Sequence, residues 1–230
     1  MTMTDFSFFV LFPYAAMFAA VGAGIYRFTA FKTSVSSLSS QFLENEILFR
    51  GSALWHYGIV IVLLAHLLAF VFPGFWRLLG SSPPLLYGME LGGLVFAVSA
   101  LAGLGILMVR RIAIGRVRRV TSFMDWVLEI VLLAQVATGF LVALLYRWGS
   151  QWYLHTAVPW VVSLLSLAPR ADFVASLPWL AKLHFLSGFV VLALFPFSRL
   201  VHVISLSLTY LFRPYQIVIW LSNGRAKRSK

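Results

Sequence analysis

The chain has no cysteine among its 230 residues. That excludes disulfides, thiolate zinc sites, cysteine-held iron–sulfur clusters and thioether attachment of a c-type haem. Charge is scarce too: 11% of residues are charged and only seven are acidic. No lysine stands between Lys32 and Lys182. No internal repeat is apparent, which argues against the inverted halves of many transporters.

What fills the chain instead is apolar surface. Hydrophobic residues make up 61%, with a mean hydropathy of +0.91. A soluble domain of this length is less apolar than this, and at about 20 residues per crossing four to six membrane spans fit. Five segments qualify, at about 6–28, 52–75, 86–109, 124–146 and 183–206. The first reads as a span rather than a cleavable leader, because no basic residue precedes it and no small-residue cleavage site follows. The third is rich in small residues (Gly92, Gly93, Ala97, Ala100, Ala102, Gly103, Gly105), which let another helix or a bulky cofactor approach closely. The stretch 150–180 holds Pro159, Pro169 and Pro178, and its apolar piece, 157–168, is too short and broken to span, so it reads as an interfacial segment, a sixth span being the alternative. The expected fold is an all-α integral membrane bundle of five transmembrane helices, one domain over 1–230 with a cytoplasmic tail at 207–230.

The net charge of +11 reflects loops at one membrane face rather than nucleic-acid binding. Fourteen basic residues fall on one side: Arg27, Lys32, Arg50, the Arg110–Arg119 cluster, Arg199 and the tail from Arg213 to Lys230. Four fall on the other: Arg77, Arg147, Arg170 and Lys182. By the positive-inside rule the N-terminus lies outside and the C-terminus in the cytoplasm.

Against this background four histidines stand out. His56 and His66 lie in the second segment, His184 and His202 in the fifth. Ionisable residues are rare and costly inside hydrocarbon, so each is a functional candidate. The second and fifth segments of a five-span bundle run antiparallel. His56 therefore pairs with His202 near the cytoplasmic face, and His66 with His184 nearer the outer face. Ten residues of helix rise about 15 Å and eighteen about 27 Å, a spacing suited to two stacked haems. On a continuous helix His184 and His202 would share a face, with Pro196 kinking the span between them. Two neutral imidazoles can hold a haem iron axially and leave no open position, which favours electron transfer over oxygen chemistry. The reading is thus two b-type haems, on His66/His184 at the outer side and His56/His202 at the cytoplasmic side. Arg199, Arg50, Arg110 and Arg111 would neutralise the inner propionates, Arg77 and Lys182 the outer ones. A single buried histidine is more often a packing residue; four in a two-and-two pattern are not. His155, outside the spans, reads as a surface residue. Asp125 and Glu129, one turn apart, are expected to pair with Arg116, Arg118 or Arg119. Glu90 lies on the side of His66 and His184, where a quinol proton could leave, although an interfacial carboxylate without special role is the commoner case.

The run from Leu183-His184 through Leu194-Phe195-Pro196-Phe197-Ser198-Arg199-Leu200-Val201-His202, then Tyr210 and Tyr215-Gln216, resembles the gamma subunit of membrane-bound respiratory nitrate reductase. So do Phe12-Pro13-Tyr14, the ten-residue spacing of His56 and His66, Arg110-Arg111, Arg116-Val117-Arg118 and Asp125. The resemblance covers nearly the whole chain. It implies a di-haem cytochrome b that oxidises quinol from the quinone pool near the outer haem. Electrons would then pass to an iron–sulfur subunit and onward to a molybdenum catalytic subunit. Candidate quinol-site residues are Glu90, Tyr87, Arg77 and His66. Some members of the family carry a lysine at the quinol site, near Leu86 counting from His66; this chain has none there. The same architecture serves other oxidoreductases and can run in reverse to reduce quinone, and no residue of this chain suits molybdenum. A haem-free histidine proton relay in a transporter, and a bare membrane anchor, are the alternatives of other classes.

Overall fold

A computed structural model describes residues 3–30 and 43–205. Lys32, Tyr210, Arg213, Tyr215, Gln216 and the basic tail through Lys230 lie outside the described residues. Among those described, every regular element is helical. Five helices are long and apolar enough to cross a membrane: Met3–Arg27, Glu46–Val71, Pro83–Ala113, Phe123–Leu145 and Trp179–Phe197. In chain order these are spans one to five.

The observed ends differ from the expected ones where proline acts. Span two stops at Val71 instead of running to 75, because Pro73 pushes Phe72 out of the helical region (φ −124°, ψ 60°) and opens a separate helix, Pro73–Leu79. Span three starts early on the Pro83-Pro84 pair, which suits the first helical turn. Span four opens on a capping box, in which Ser122 Oγ accepts from the Asp125 N–H and the Asp125 carboxylate accepts from the Ser122 N–H.

Span five departs most. Its α-helix ends at Leu194, tightens into a 3₁₀ turn over Phe195–Phe197, and breaks at Ser198, which is extended (φ −115°, ψ 179°). Pro196 thus ends the helix rather than kinking it. His202 lies on a new turn beginning at Arg199, so the expectation that His184 and His202 share a face through five continuous turns does not hold. The carbonyls freed at the break are taken up by span one: Arg27 Nη1 donates to Pro196 O at 2.5 Å and to Ser198 O at 3.2 Å.

Span one carries a matching defect. Pro13 has no N–H to give the Phe9 carbonyl one turn back, and the chain widens into a π-helical turn over Ser7–Leu11. The indole Nε1 of Trp160 donates to Phe9 O instead, at 3.0 Å. Trp160 sits on the helix Ala157–Leu165, within the segment expected to be interfacial. That segment does not span, but it is deeply packed. Trp160 and Leu164 are each 1% exposed, and Phe185 of span five stacks on the indole at 5.8 Å. Tyr14 closes the contact by donating to Leu164 O at 2.9 Å.

Spans two and three cross at glycines. A Cβ on Gly58 would stand 2.6 Å from the Phe96 carbonyl oxygen, and one on Gly103 would stand 2.7 Å from the Gly51 carbonyl oxygen. Both neighbours are backbone and cannot swing aside. Gly103→Ala is therefore expected to force the two helices apart and cost about 1–3 kcal/mol, seen as a lower thermal midpoint of the purified protein in detergent. An unchanged midpoint would show that the two helices can separate at little cost.

Candidate functional site

Each of the four histidines is held through the same ring nitrogen. Nδ1 lies 2.7 Å from the Ser52 carbonyl oxygen in His56 and 2.8 Å from that of Val62 in His66. It lies 3.1 Å from Gln135 O in His184 and 2.6 Å from Arg199 O in His202. A carbonyl oxygen only accepts, so each Nδ1 carries the proton and donates it. Nε2 of the neutral ring then keeps its lone pair, and among the described residues no hydrogen bond reaches any of the four Nε2 atoms. A ring whose Nδ1–H is anchored to a carbonyl is oriented and made more basic as a metal ligand.

The rings come together in two pairs. His56 and His202 face each other with ring centroids 6.1 Å apart and planes at 67°. Two metal–nitrogen bonds of about 2 Å each, together with the radii of two imidazoles, fill that distance. His66 and His184 line a common cavity of about 520 Å³, a size typical of small-molecule sites. The neighbouring spans are cut away around it. A Cβ on Gly92 or Gly93 would meet no atom within 4 Å, whereas one on Gly139 would stand 2.7 Å from Cε1 of His184. Phe96, Ala97 and Ala100 complete an apolar wall. Among the described residues no group of three or more His, Cys, Asp or Glu could hold a bare metal ion. A haem iron takes four nitrogens from its own macrocycle and asks two of the protein, and each histidine pair fits that demand.

The arginines expected to meet propionates already hold carboxylates of this chain. Arg199 grips Asp125 with two bonds, Nε to Oδ1 at 2.6 Å and Nη2 to Oδ2 at 2.8 Å. Arg111 Nε lies 2.7 Å from Glu129 Oε2, with its guanidinium over the Trp126 ring at 5.7 Å. Arg110 is 4% exposed and pairs with Glu44 through its side chain, with a further bond to Glu44 O at 2.7 Å. Arg50 is largely exposed and pairs one turn back with Glu46 at 2.6 Å. Asp125 and Glu129 therefore do not pair with the Arg116–Arg119 loop as expected. They project from the buried side of span four, while Arg116–Arg119 lie on the short helix Gly115–Arg119 beyond the end of span three.

At the other end of the bundle, Glu90 lines the His66/His184 cavity. Its Oε1 accepts from the Ser150 N–H at 2.9 Å and from the Ser150 hydroxyl at 2.5 Å. Trp76 and Tyr153 line the same region, with Tyr153 edge-on to His66 at 5.5 Å. Burial pushes the Tyr153 phenol above its ordinary range. Tyr87 and Arg77 are exposed and do not line the cavity; Tyr87 packs edge-on against Trp148 at 5.2 Å. His155 is exposed, as expected of a surface histidine.

Several residues at these sites gave little sequence signal. Gln135 and Gly139, one turn apart on span four, meet His184; a lone glutamine inside an apolar run was the available clue. Glu44 gave none, because it belongs to no periodic segment. Its carboxylate caps span two through the Ile47 and Leu48 N–H groups, at 2.7 and 3.1 Å. Partial burial raises the Glu44 carboxyl, but Arg110 and those two N–H groups outweigh it and hold it below its ordinary value. A group depressed in the fold stabilises the fold above its unfolded value, about 4.3 for glutamate, and that contribution fades as pH falls through the folded value. Glu44→Gln is accordingly expected to flatten the acid limb of a thermal-stability profile between about pH 7 and about pH 3. An unaltered acid limb would show that the pair is not maintained in solution.

The nitrate reductase gamma subunit family matches residues 5–221. The nitrate reductase gamma chain of Bacillus subtilis (strain 168) is 33% identical over 210 residues, covering 90% of this chain and 94% of that protein. The respiratory nitrate reductase 2 gamma chain of Escherichia coli (strain K12) is 28% identical over 218 residues, covering 92% and 95%. The nitrate reductase-like protein NarX of Mycobacterium tuberculosis (strain ATCC 25618 / H37Rv) is 32% identical over 215 residues, which are 91% of this chain but 33% of that longer protein. With a family match over nearly its full length and five helices able to cross a bilayer, the chain is a multi-pass membrane protein and belongs to the nitrate reductase gamma subunit family.

Proposed function

We propose that this chain is the quinol-oxidising membrane subunit of a respiratory nitrate reductase, holding two b-type haems and passing electrons to an iron–sulfur and molybdenum partner on the cytoplasmic side of a prokaryotic inner membrane. One observation carries the reading. All four imidazoles present Nε2 with Nδ1–H tied to a carbonyl, and they stand as two pairs rather than four scattered residues.

His66 and His184 would hold one haem, His56 and His202 the other. Bound in this way, haem supplies reversible one-electron transfer with no open iron position for oxygen. The chain's own residues do the rest. Backbone carbonyls fix each imidazole in the tautomer that ligates. Gly92 and Gly93 leave room in the cavity for a flat, wide ligand, and Gly139 lets the His184 ring pack against span four. Apolar residues of spans two to four exclude water from the space between the rings.

At the end bearing Arg110, Arg111 and Arg199, three guanidinium groups offer positive charge for propionates while remaining tied to Glu44, Glu129 and Asp125. At the opposite end, His66 and Glu90 are the groups placed to meet a quinol. Glu90 has one carboxylate oxygen occupied by Ser150 and lines the cavity that His66 lines. Tyr87 and Arg77 are exposed and do not line that cavity. With the N-terminus outside, as the basic residues favour, quinol protons would leave at the outer face while electrons move inward. That separates charge across the bilayer without a proton pump.

The test is a reduced-minus-oxidised absorption spectrum with haem quantified per chain. The intact protein is expected to hold two low-spin b haems. His66→Ala and His184→Ala are each expected to lose the same one, and His56→Ala and His202→Ala the other. Gly139→Leu, whose side chain would displace the His184 ring, is expected to lose the haem that His184→Ala loses. Two haems retained in a histidine variant would overturn the pairing. Folded protein that holds no haem after expression with ample haem supply would overturn the function.

A further inference from the structure

His202 is the one histidine of the four that is not fixed by a long helix. Span five breaks at Ser198, and His202 rides on the short turn that follows. Helical continuity therefore cannot set the orientation of its ring. The contacts that can set it run to another span. The Nδ1–H of His202 donates to the Arg199 carbonyl at 2.6 Å. The Arg199 side chain is clamped in a two-bond fork on Asp125, at 2.6 and 2.8 Å. Asp125 is 5% exposed and is itself anchored, accepting from the Ser122 N–H at 2.9 Å at the first turn of span four.

We infer that Asp125 is a positioning residue for His202, setting the angle of that imidazole against His56 through Arg199. The inference rests on the two-haem reading above. A fork of parallel N–H···O bonds constrains direction as well as distance. Holding the Arg199 side chain in a fork holds its backbone, and the backbone carbonyl in turn aims the ring. The 67° angle between the two imidazole planes is the quantity that Asp125 controls.

The competing role for Asp125 is structural only: it completes the capping box of span four. Ser122 separates the two roles. Ser122→Ala removes a cap bond and leaves the fork on Arg199 in place. Asp125→Asn removes the anionic half of the fork and so takes one negative charge from beside Arg199 and His202. Positive charge near a haem iron favours the reduced form, and a turned imidazole changes the low-spin ferric resonance, which responds to the angle between the axial planes.

The experiment is a potentiometric titration and a low-temperature electron paramagnetic resonance spectrum of the assembled, haem-replete complex. The haem in question is identified as the one lost in His202→Ala. Asp125→Asn is expected to raise its midpoint potential by about tenfold in the redox equilibrium, 59 mV for one electron. It is also expected to move that haem's ferric signal while the other haem keeps both values. Ser122→Ala is expected to move neither haem, and Asp125→Glu, which keeps a carboxylate, to show little of the shift. Arg199→Lys keeps the charge but loses the fork; should Asp125→Asn fail to assemble, a moved ferric signal in Arg199→Lys supports the inference in its place. Unchanged signals in these variants, equal shifts at both haems, or the same shift in Ser122→Ala would overturn the inference. Intact protein without haem would overturn the two-haem reading along with it.

Discussion

A backbone carbonyl without a donor is costlier inside hydrocarbon than anywhere in a soluble protein, since no water can repair it. This chain breaks its helices with proline inside two spans and repairs each break with a side chain from elsewhere. Pro13 leaves Phe9 O to the indole of Trp160, which draws the non-spanning segment 157–165 into the bundle. Around Pro196 the carbonyls go to Arg27, which locks the end of span one against the break in span five. The stacked Phe185 and the neighbouring Phe189 then close over Trp160. Packing at both ends of the bundle follows from where backbone donors are lost, at Pro13 through its missing N–H and after Pro196 through the break at Ser198.

The same demand for carbonyl partners orients the histidines. His56 and His66 donate to the carbonyl four residues back on their own helix, and His202 to one three residues back. His184 alone reaches across to another span, at Gln135. Its Cε1 fits over Gly139, where a Cβ would collide with it. A helix-borne imidazole bonded to its own turn keeps its orientation wherever the helix goes. One bonded to a neighbour keeps it only while the two helices stay packed.

The spans, their number and the two-and-two pattern of histidines were legible in the sequence, because hydropathy and rarity are local signals. Pro73 and Pro196 were legible as sites of disturbance but not in their effect. Whether a proline kinks or ends a helix depends on whether the freed carbonyls find partners, and Arg27 lies 169 positions from the one it serves at Pro196. The arginine partners were hidden for a related reason. Spacing along span four suggested pairing with the nearest basic loop. Burial decides instead, since a carboxylate taken out of water needs a counter-charge within reach. Asp125 and Glu129 turn inward and find Arg199 and Arg111, whereas the Arg116–Arg119 loop does not follow them. The depth of segment 157–165 was invisible because length shows that it cannot cross the bilayer and says nothing of how far it is packed in.

Span four ties these threads together although it carries no histidine. It runs in the same direction as span two, and it reaches His202 through Asp125 and Arg199 and His184 through Gln135, Thr138 and Gly139. Asp125 and Gln135 are ten positions apart, as are His56 and His66 on span two, a helical rise of about 15 Å in each case. One rod places two imidazoles, and a second rod of equal pitch places the supports of their partners, through Arg199 to His202 and directly to His184. Span five is broken between its two histidines and cannot by itself hold their separation. The distance between the two pairs is therefore set by two unbroken helices, which leaves span five to supply ligands and not the ruler.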